Sequence, residues 1–238
     1  MVIDFHAHIL PGADHGCRST AMAEKQLLLM KKHGTDAVVA TSHFYPNQDS
    51  VRSFLRKREG AIEAMKRKLP LEDLPTIYLG AEVLVCEGIH EMAGLEELCI
   101  QGTNVILLEM PFTAWSDALI DSVMGIKRRG LTPVLAHIDR YYEAKVRELL
   151  ARGIMAQVNA EAFGLFGCKP FYKRAMELGN VVALGSDLHE AKNRDYKRFS
   201  RMRKKLGPLA EGVFARTEEL LKTATPLGEA QKENIILT

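Results

Sequence analysis

The stretch VIDFHAH (residues 2–8) is a short apolar run of β type that ends in two histidines. Six further runs of this kind recur along the chain, with helical stretches between them. They are DAVVATSH (36–43), TIYLGAEVLV (76–85), NVILLEMPF (104–112), TPVLAHI (132–138), IMAQVNA (154–160) and VVALGSDLH (181–189). The sequence therefore predicts seven β-strands.

The segments between the predicted strands are typical of amphipathic helices. Residues 21–34 and 116–130 carry apolar side chains three and four positions apart, and Gly34 and Gly130 stand where such helices would end. Strands that alternate with helices run parallel and are joined by right-handed crossovers. Since no linker or repeat interrupts the series, we expect one α/β domain over residues 1–238. Its strands should form a closed or nearly closed parallel β/α barrel rather than an open doubly wound sheet.

The composition excludes several other classes of protein. The chain has 238 residues, with 32 Lys and Arg against 30 Asp and Glu, and this balance argues against a nucleic-acid coat. Its four cysteines form no C-x-x-C pair, which favours a reducing cytoplasm over a disulfide framework. No apolar run is long enough for a membrane helix, and Asp4 and His6 interrupt any signal peptide. We expect a cytoplasmic protein with no membrane insertion and no nucleic-acid partner.

The ends of the predicted strands carry residues of the types that bind metals. In an α/β barrel, the chemistry is built at the C-terminal ends of the strands. Eight candidate ligands lie there: His6, His8, His43, Glu82, Glu109, His137, Asp187 and His189. A single histidine after an apolar strand is more often a hydrogen-bonded core residue than a ligand. That interpretation fails for the set, because carboxylates such as Glu82 and Glu109 are costly to bury unless they are paired or bound to a cation.

The spacing and number of these residues predict more than one metal ion. Residues two apart on a strand point to the same face, so His6 and His8 aim together into the mouth of the barrel. Nitrogen and oxygen ligands without thiolates favour Zn²⁺, Mn²⁺ or Fe. With Asp14 or His15 added from the loop after the first strand, the candidates exceed one site, and two or three ions are implied.

The motifs, taken in order, resemble a known superfamily. They are DFHAHILPGADHG (4–16), VVATSHFYP (38–46), GAEV (80–83), LLEMPF (107–112), LAHIDRY (135–141), QVNA (157–160) and LGSDLHEAKNR (184–194). Over residues 2–194 the series is similar to the PHP (polymerase and histidinol phosphatase) superfamily. It is most similar to the metal-dependent protein-tyrosine phosphatases of bacterial capsule and exopolysaccharide operons, the CpsB/YwqE type.

The resemblance implies a fold, a metal centre and an activity. The fold would be a distorted seven-stranded β/α barrel of PHP type, in which the eight strand-end residues hold a trinuclear centre, usually of manganese. Arg140 and Arg194 would match two arginines that bind the substrate phosphate. Hydroxide generated at the ions would attack phosphotyrosine on a protein. The natural substrate would be the tyrosine-rich tail of a bacterial tyrosine kinase that controls polysaccharide export.

Three positions depart from the pattern of the family. The family shows D-D-G after the first strand, whereas this chain has D-H-G at residues 14–16. An imidazole thus takes the place of a carboxylate, and the sequence leaves open whether Asp14 or His15 is the ligand. In addition, Phe44 stands where a second histidine is common, and Ile138-Asp139 replaces Pro-Glu.

Residues 168–174 (CKPFYKR) offer a rival route to the same activity, because they match the C-x5-R signature of cysteine-dependent tyrosine phosphatases. A phosphate cradle needs small residues whose N–H groups converge on the anion. Pro170 has no N–H group, and Phe171 and Tyr172 are bulky. We therefore interpret the match as accidental.

A basic segment at residues 192–205 holds eight Lys and Arg residues. Tyr196, Phe199 and Met202 recur in it at a spacing of three, which predicts a helix with one buried face and a solvated basic face. Attraction of an anionic phosphopeptide is the alternative role of this face.

Two other functions remain as alternatives to a protein-tyrosine phosphatase. A PHP phosphoesterase that acts on a small phosphate ester, such as histidinol phosphate, would use the same ligands. A non-catalytic, metal-stabilised regulator would bind phosphotyrosine without hydrolysing it. An amidohydrolase is disfavoured, because the sixth predicted strand ends in QVNA (157–160) and supplies no histidine.

Overall fold

The structure, a computed structural model, describes residues 1–164 and 168–227. Its strands are β1 (Ile3–Ala7), β2 (Ala37–Ala40), β3 (His43–Phe44), β4 (Thr76–Leu79), β5 (Glu82–Leu84), β6 (Val105–Glu109), β7 (Thr132–Leu135), β8 (Met155–Asn159) and β9 (Val181–Gly185). They pair in parallel, in one sheet of order β1-β2-β4 and another of order β3-β5-β6-β7-β8-β9. The parallel α/β fold is therefore confirmed. Residues 165–167 and 228–238 of the domain expected over 1–238 lie outside the described residues.

The second and third predicted strands are each interrupted by two residues, which is why seven predicted strands correspond to nine observed ones. The pairing register does not change across the interruption: Ala40 pairs with Leu79, and His43 pairs with Glu82. The N–H of Gly80 also donates to the carbonyl of Ala40 (2.9 Å). The two segments therefore keep their register across the interruption, which precedes both His43 and Glu82.

Hydrogen bonds link the last strand to the first beyond the named sheets. The N–H of Asp187 donates to the carbonyl of His6 (2.7 Å), and the N–H of His8 donates to the carbonyl of Leu188 (2.9 Å). Ala7 and Leu188 form a parallel bridge. These contacts bring the ends of β9 and β1 together, as the predicted barrel requires, and place the ligands that follow both strands at one rim.

The pairing of β1 with β2 shifts by one residue between Asp4 and Ala7. Such a bulge re-aims the side chains of the bulged strand and is common beside active sites. His6 lies within this bulge, and its side chain is fully buried.

Of the seven α-helices in the described residues, five lie between strands and two follow β9. The two helices predicted over residues 21–34 and 116–130 are present with similar bounds. They are α1 (Thr20–Lys32), α2 (Val51–Lys68), α3 (Asp117–Arg128), α4 (Glu143–Ala151), α5 (Pro170–Glu177), α6 (Asn193–Leu206) and α7 (Pro208–Leu220). Short 3₁₀ helices cover Leu71–Asp73, Ile89–Glu91, Leu95–Leu98, Ile138–Arg140 and Ala160–Ala162. Ser19 and Ser116 cap α1 and α3, and Gly34 and Gly130 follow these helices with φ values of 81° and 85°. Within the described ranges, no helix has both the length and the apolar character of a membrane span.

Candidate metal centre

Four ligand atoms converge on one buried point of the rim. They are Nε2 of His6, Nε2 of His8, Oε2 of Glu82 and Oδ1 of Asp187, which we call the inner cluster. The distances from the two nitrogen atoms to each other and to the two oxygen atoms are between 3.2 and 3.6 Å. Ligands about 2.0–2.1 Å from a tetrahedral ion lie roughly 3.3–3.4 Å apart. The inner cluster therefore has the spacing of a coordination shell.

Glu82 is the hub of the centre. Its Oε1 atom lies 2.8 Å from Nε2 of His137, and its Oε2 atom lies 3.0 Å from Nδ1 of His43. The carboxylate of Glu109 lies 3.7 Å from the same two histidine atoms. The two carboxylate oxygen atoms of Glu82 thus face different imidazoles, so this residue would be shared by two metal positions if both were filled.

Two of these atoms lack the partners that a buried polar atom needs. Oε2 of Glu82 and Nδ1 of His43 are buried and make no hydrogen bond of acceptable geometry. An unsatisfied buried carboxylate oxygen is costly, unless a cation lies against it. The residues present therefore fit a divalent metal ion.

A second group of imidazoles lies toward the outside of the rim. Ring nitrogen atoms of His8, His43 and His189 lie within 4.8 Å of one another. The ring of His15 stacks on that of His43 and lies tilted against that of His189, with centroid distances of 4.8 Å to each. We call His15, His43 and His189 the outer cluster.

Asp14 hydrogen-bonds to candidate ligands and to backbone N–H groups of the loop. Its Oδ2 atom lies 2.7 Å from Nδ1 of His8 and accepts the N–H of His43 (3.0 Å), while Oδ1 accepts the N–H of Gly16 (2.9 Å). A carboxylate that bonds the far nitrogen of a ligating histidine fixes its tautomer and aims Nε2 at the metal. Of the two candidates in the loop, Asp14 thus contacts His8 and the backbone, whereas the ring of His15 lies beside those of His43 and His189.

Two predicted ligands sit on strained backbone. His137 (φ 30°) and Asp187 (φ 52°) are the non-glycine residues with positive φ among those the structure describes. Such conformations are uncommon outside glycine and concentrate at functional sites, where the surroundings hold them in place. Both residues follow the end of a strand, so the strained turn directs each side chain into the rim.

The charges of the inner cluster favour a cation. Burial alone would lower the pKa of His6, but the carboxylates of Glu82 and Asp187 outweigh it and raise that pKa. Burial alone would raise the pKa of Glu82, yet the charge of His6 and a hydrogen bond from His137 hold it well below its usual range. The carboxylates therefore stay ionised, and protons and metal ions compete for the same imidazole nitrogen atoms.

The outer cluster is electrically different. Burial and the positive charge of His8 lower the pKa of His189 to about 4, and burial and His43 lower the pKa of His15. Both imidazoles are thus neutral at neutral pH, the form in which histidine binds metals.

Two side chains on β8, which the sequence analysis did not single out, form hydrogen bonds with predicted ligands. Oε1 of Gln157 accepts the N–H of His137 (2.7 Å) and lies 3.3 Å from Nδ1 of His6. The amide of Asn159 donates to Oδ2 of Asp187 (3.2 Å) and accepts from Gln157 (2.8 Å). These amides hold the ligands in place. The sequence pattern could have indicated these side chains, because two amides two residues apart in an apolar strand point to the same face.

The two predicted phosphate-binding arginines differ in position. Arg140 forms an ion pair with Asp187 and lines a cavity together with Asp187 and His189. Arg194 begins the first turn of α6, its side chain is 75% exposed, and its Nε atom lies 3.5 Å from Asp195. Of the described residues, Arg198 and not Arg194 lines that cavity from α6.

The C-x5-R segment does not resemble a phosphate cradle. Burial raises the pKa of Cys168, whereas a nucleophilic cysteine needs a lowered one. Arg174 lies on α5 and pairs with Glu177 (3.4 Å). The interpretation of this match as accidental agrees with both observations.

The basic segment forms α6, as predicted. Tyr196, Phe199 and Met202 are the buried residues of this helix. The prediction of a helix with one buried face is therefore confirmed.

Comparison with known proteins identifies the family of the chain. The family model for capsular polysaccharide synthesis, CpsB/CapC, matches residues 2–209. The tyrosine-protein phosphatase YwqE of Bacillus subtilis (strain 168) is 27% identical over 209 residues, which are 82% of this chain and 80% of YwqE. The tyrosine-protein phosphatase CpsB of Streptococcus pneumoniae is 28% identical over 213 residues, which are 81% of this chain and 85% of CpsB.

The fold is also that of a solved relative. A crystal structure from a study of YwqE and CpsB, described as unique metal-dependent tyrosine phosphatases, superimposes with a TM-score of 0.76 at 24% identity. The superposition covers 94% of this chain and 96% of that one. The resemblance seen in the motifs is thereby confirmed: the chain belongs to the CpsB/CapC family of capsular polysaccharide synthesis.

Proposed function

We propose that this protein is a metal-dependent phosphatase that hydrolyses phosphotyrosine on a protein. The observation that carries the proposal is the buried inner cluster, whose hub Glu82 contacts four imidazoles and whose edge is bounded by Arg140. Two relatives that match about four-fifths of the chain are named tyrosine-protein phosphatases. The family's role in capsular polysaccharide synthesis supports a bacterial tyrosine kinase of that process as the substrate.

The residues of the rim would hold metal ions at up to three positions. Divalent ions held by the rim would supply hydroxide at neutral pH and neutralise charge on the phosphoryl group. His6, His8, Glu82 and Asp187 would hold the first position, and Glu82 would extend to a second one with Glu109 and His137. The outer cluster would provide a third position.

Arg140 is proposed to bind the phosphoryl oxygens. Its guanidinium pairs with Asp187 and is 36% exposed, so it lies between the inner cluster and solvent. When a cation compensates Asp187 in its place, Arg140 is free to turn toward a phosphate and donate two parallel hydrogen bonds. Arg194 is proposed as the second arginine, because its side chain in the first turn of α6 is exposed and therefore accessible to a phosphate.

Three finer features belong to the same proposal. We propose Mn²⁺ as the ion of the inner cluster, because the two carboxylates of that cluster suit it. We propose that residues 1–238 act as one domain and that the protein works in the cytoplasm, where kinase tails are phosphorylated and thiols stay reduced.

The experiment is a turnover assay on two substrates. We expect hydrolysis of a phosphotyrosine peptide that stops with chelator and returns with Mn²⁺. A large excess of turnover on histidinol phosphate would instead assign the site to a small phosphate ester. Binding of the peptide without turnover, at full metal content, would identify a regulator and contradict the proposal.

A further inference from the structure

A separate aromatic cavity opens beside Arg140. It has a volume of about 390 Å³, within the usual range of roughly 300–1,000 Å³ for ligand pockets. One wall is the loop that follows β6, with Phe112 and Trp115, and the other is the turn before α4, with Tyr141 and Tyr142. The pocket therefore combines four aromatic side chains with one guanidinium group.

The base of this pocket is fixed before any ligand arrives. The hydroxyl of Tyr141 accepts the N–H of Met110 (2.8 Å), and Nε1 of Trp115 donates to the carbonyl of Pro111 (3.0 Å). The rings of Trp115 and Tyr141 meet edge to face with centroids 5.2 Å apart. Aromatic pairs in this geometry are favourable, so the two walls hold each other in position.

The rim of the pocket is apolar and exposed. Phe112 is 69% exposed and Tyr142 is 78% exposed. Exposed aromatic side chains that share one concave patch mark a binding surface more often than isolated ones do. Both residues therefore have surface available for a ligand.

The pocket adjoins the metal centre. Phe112 stacks over the ligand His137, with ring centroids 6.5 Å apart and planes at 12°. Arg140 lines both this pocket and the cavity of Asp187 and His189. A group bound at Arg140 would thus have the rim on one side and an aromatic slot on the other.

We propose, on the basis of the phosphatase function above, that this pocket binds the phenyl ring of the phosphotyrosine side chain. Phe112 and Tyr142 are assigned as specificity-determining residues that stack on the ring while its phosphate lies at Arg140. A phosphoserine or phosphothreonine side chain has no ring to fill the slot. The pocket therefore selects for aryl phosphates through binding, in addition to any difference in leaving group.

The single tryptophan of the chain permits a direct test, because Trp115 lies in the pocket wall. Metal-loaded protein is titrated with phenylphosphonate, which is not hydrolysed, and Trp115 fluorescence is recorded. Methylphosphonate is then measured by its competition with phenylphosphonate. We expect phenylphosphonate to change the fluorescence and to bind more tightly than methylphosphonate.

Substitutions at Phe112 and Tyr142 test whether these two side chains contact the phenyl ring. Phe112→Ala and Tyr142→Ala should each weaken phenylphosphonate binding about fivefold to tenfold, the value of one aromatic contact, and leave methylphosphonate binding unchanged. Tyr142→Phe should bind like wild type, because only the ring is used. Leu178→Ala, an exposed apolar residue after α5, is the matched control and should bind like wild type.

Equal affinity of the wild type for the two phosphonates would overturn the assignment, as would equal weakening of both by Phe112→Ala and Tyr142→Ala. The proposed phosphatase activity can be contradicted independently of the proposed pocket. Selective binding of phenylphosphonate in a protein without turnover would support the pocket and contradict the phosphatase, whereas turnover with unselective binding would do the reverse.

Discussion

The inner and outer clusters lie side by side on one rim but are built for different tasks. The inner cluster has two carboxylates, and its side chains are at most 2% exposed. The outer cluster has no carboxylate, His15 is exposed, and the side chain of His189 is 29% exposed. Two carboxylates cancel the charge of a divalent ion, whereas neutral imidazoles leave it positive. We expect the inner cluster to retain its ion and the outer one to exchange its ion and attract phosphate.

The largest effect on activity is expected when the carboxylate of Glu82 is replaced. Glu82→Gln keeps the shape but loses the charge shared by the inner cluster and the second position. A bound cation stabilises the charge of the transition state by several kcal/mol, so loss of an ion should lower kcat/KM about 10³-fold. Metal analysis of the variant should show the loss of at least one ion per chain. Glu72→Gln, at an exposed glutamate, is the control, and a Glu82→Gln protein with full metal and full activity would break the comparison.

A smaller effect should follow when the support of the inner ligands is removed. Gln157→Leu leaves His6 and His137 without the amide that orients them. Loss of such a partner lowers metal affinity or activity by about 10–100-fold. A competition assay with a chromophoric chelator would measure it. An equal loss of affinity for every bound ion would show that the two clusters are not independent.

A still smaller effect is expected in the outer cluster. His15→Ala removes one exposed imidazole, and activity should fall by about tenfold or less while the tightly bound ions remain. His15→Asp adds a carboxylate, and it should shift the weakest ion from a preference for Zn²⁺ toward Mn²⁺. Calorimetric titration with each metal would detect the shift. If His15→Ala instead releases all ions, the outer cluster is not a separate site.

No effect is expected from Cys168→Ser, which lies in neither cluster. The burial that raises the pKa of this thiol makes it a poor nucleophile. The variant should keep wild-type turnover with Mn²⁺. Loss of turnover at unchanged metal content would place the chemistry on the C-x5-R segment instead of on the metal centre.

Much of the site was predictable because the ligands sit where apolar strands end. Parallel strands bring those ends to one edge, so the residues from His6 to His189 could be grouped without knowledge of side-chain positions. The strand interruptions before His43 and Glu82 were not predictable, since they depend on pairing between distant strands.

Other features depend on which partner each side chain meets in space. The different surroundings of Asp14 and His15 depend on the hydrogen bonds of Asp14 to His8 and to two backbone N–H groups. The exposure of Arg194 likewise depends on where α6 begins and how its first turn faces the rim. Spacing along the chain contains neither piece of information.

The central claim is that the rim binds the metal ions on which hydrolysis depends. The most direct measurement is the metal content of protein purified without chelator, compared between wild type and His6→Ala. We predict two to three Mn, Fe or Zn ions per wild-type chain and fewer in the variant, together with loss of its turnover. No bound metal in an active wild type, with His6→Ala equally active, would contradict the account.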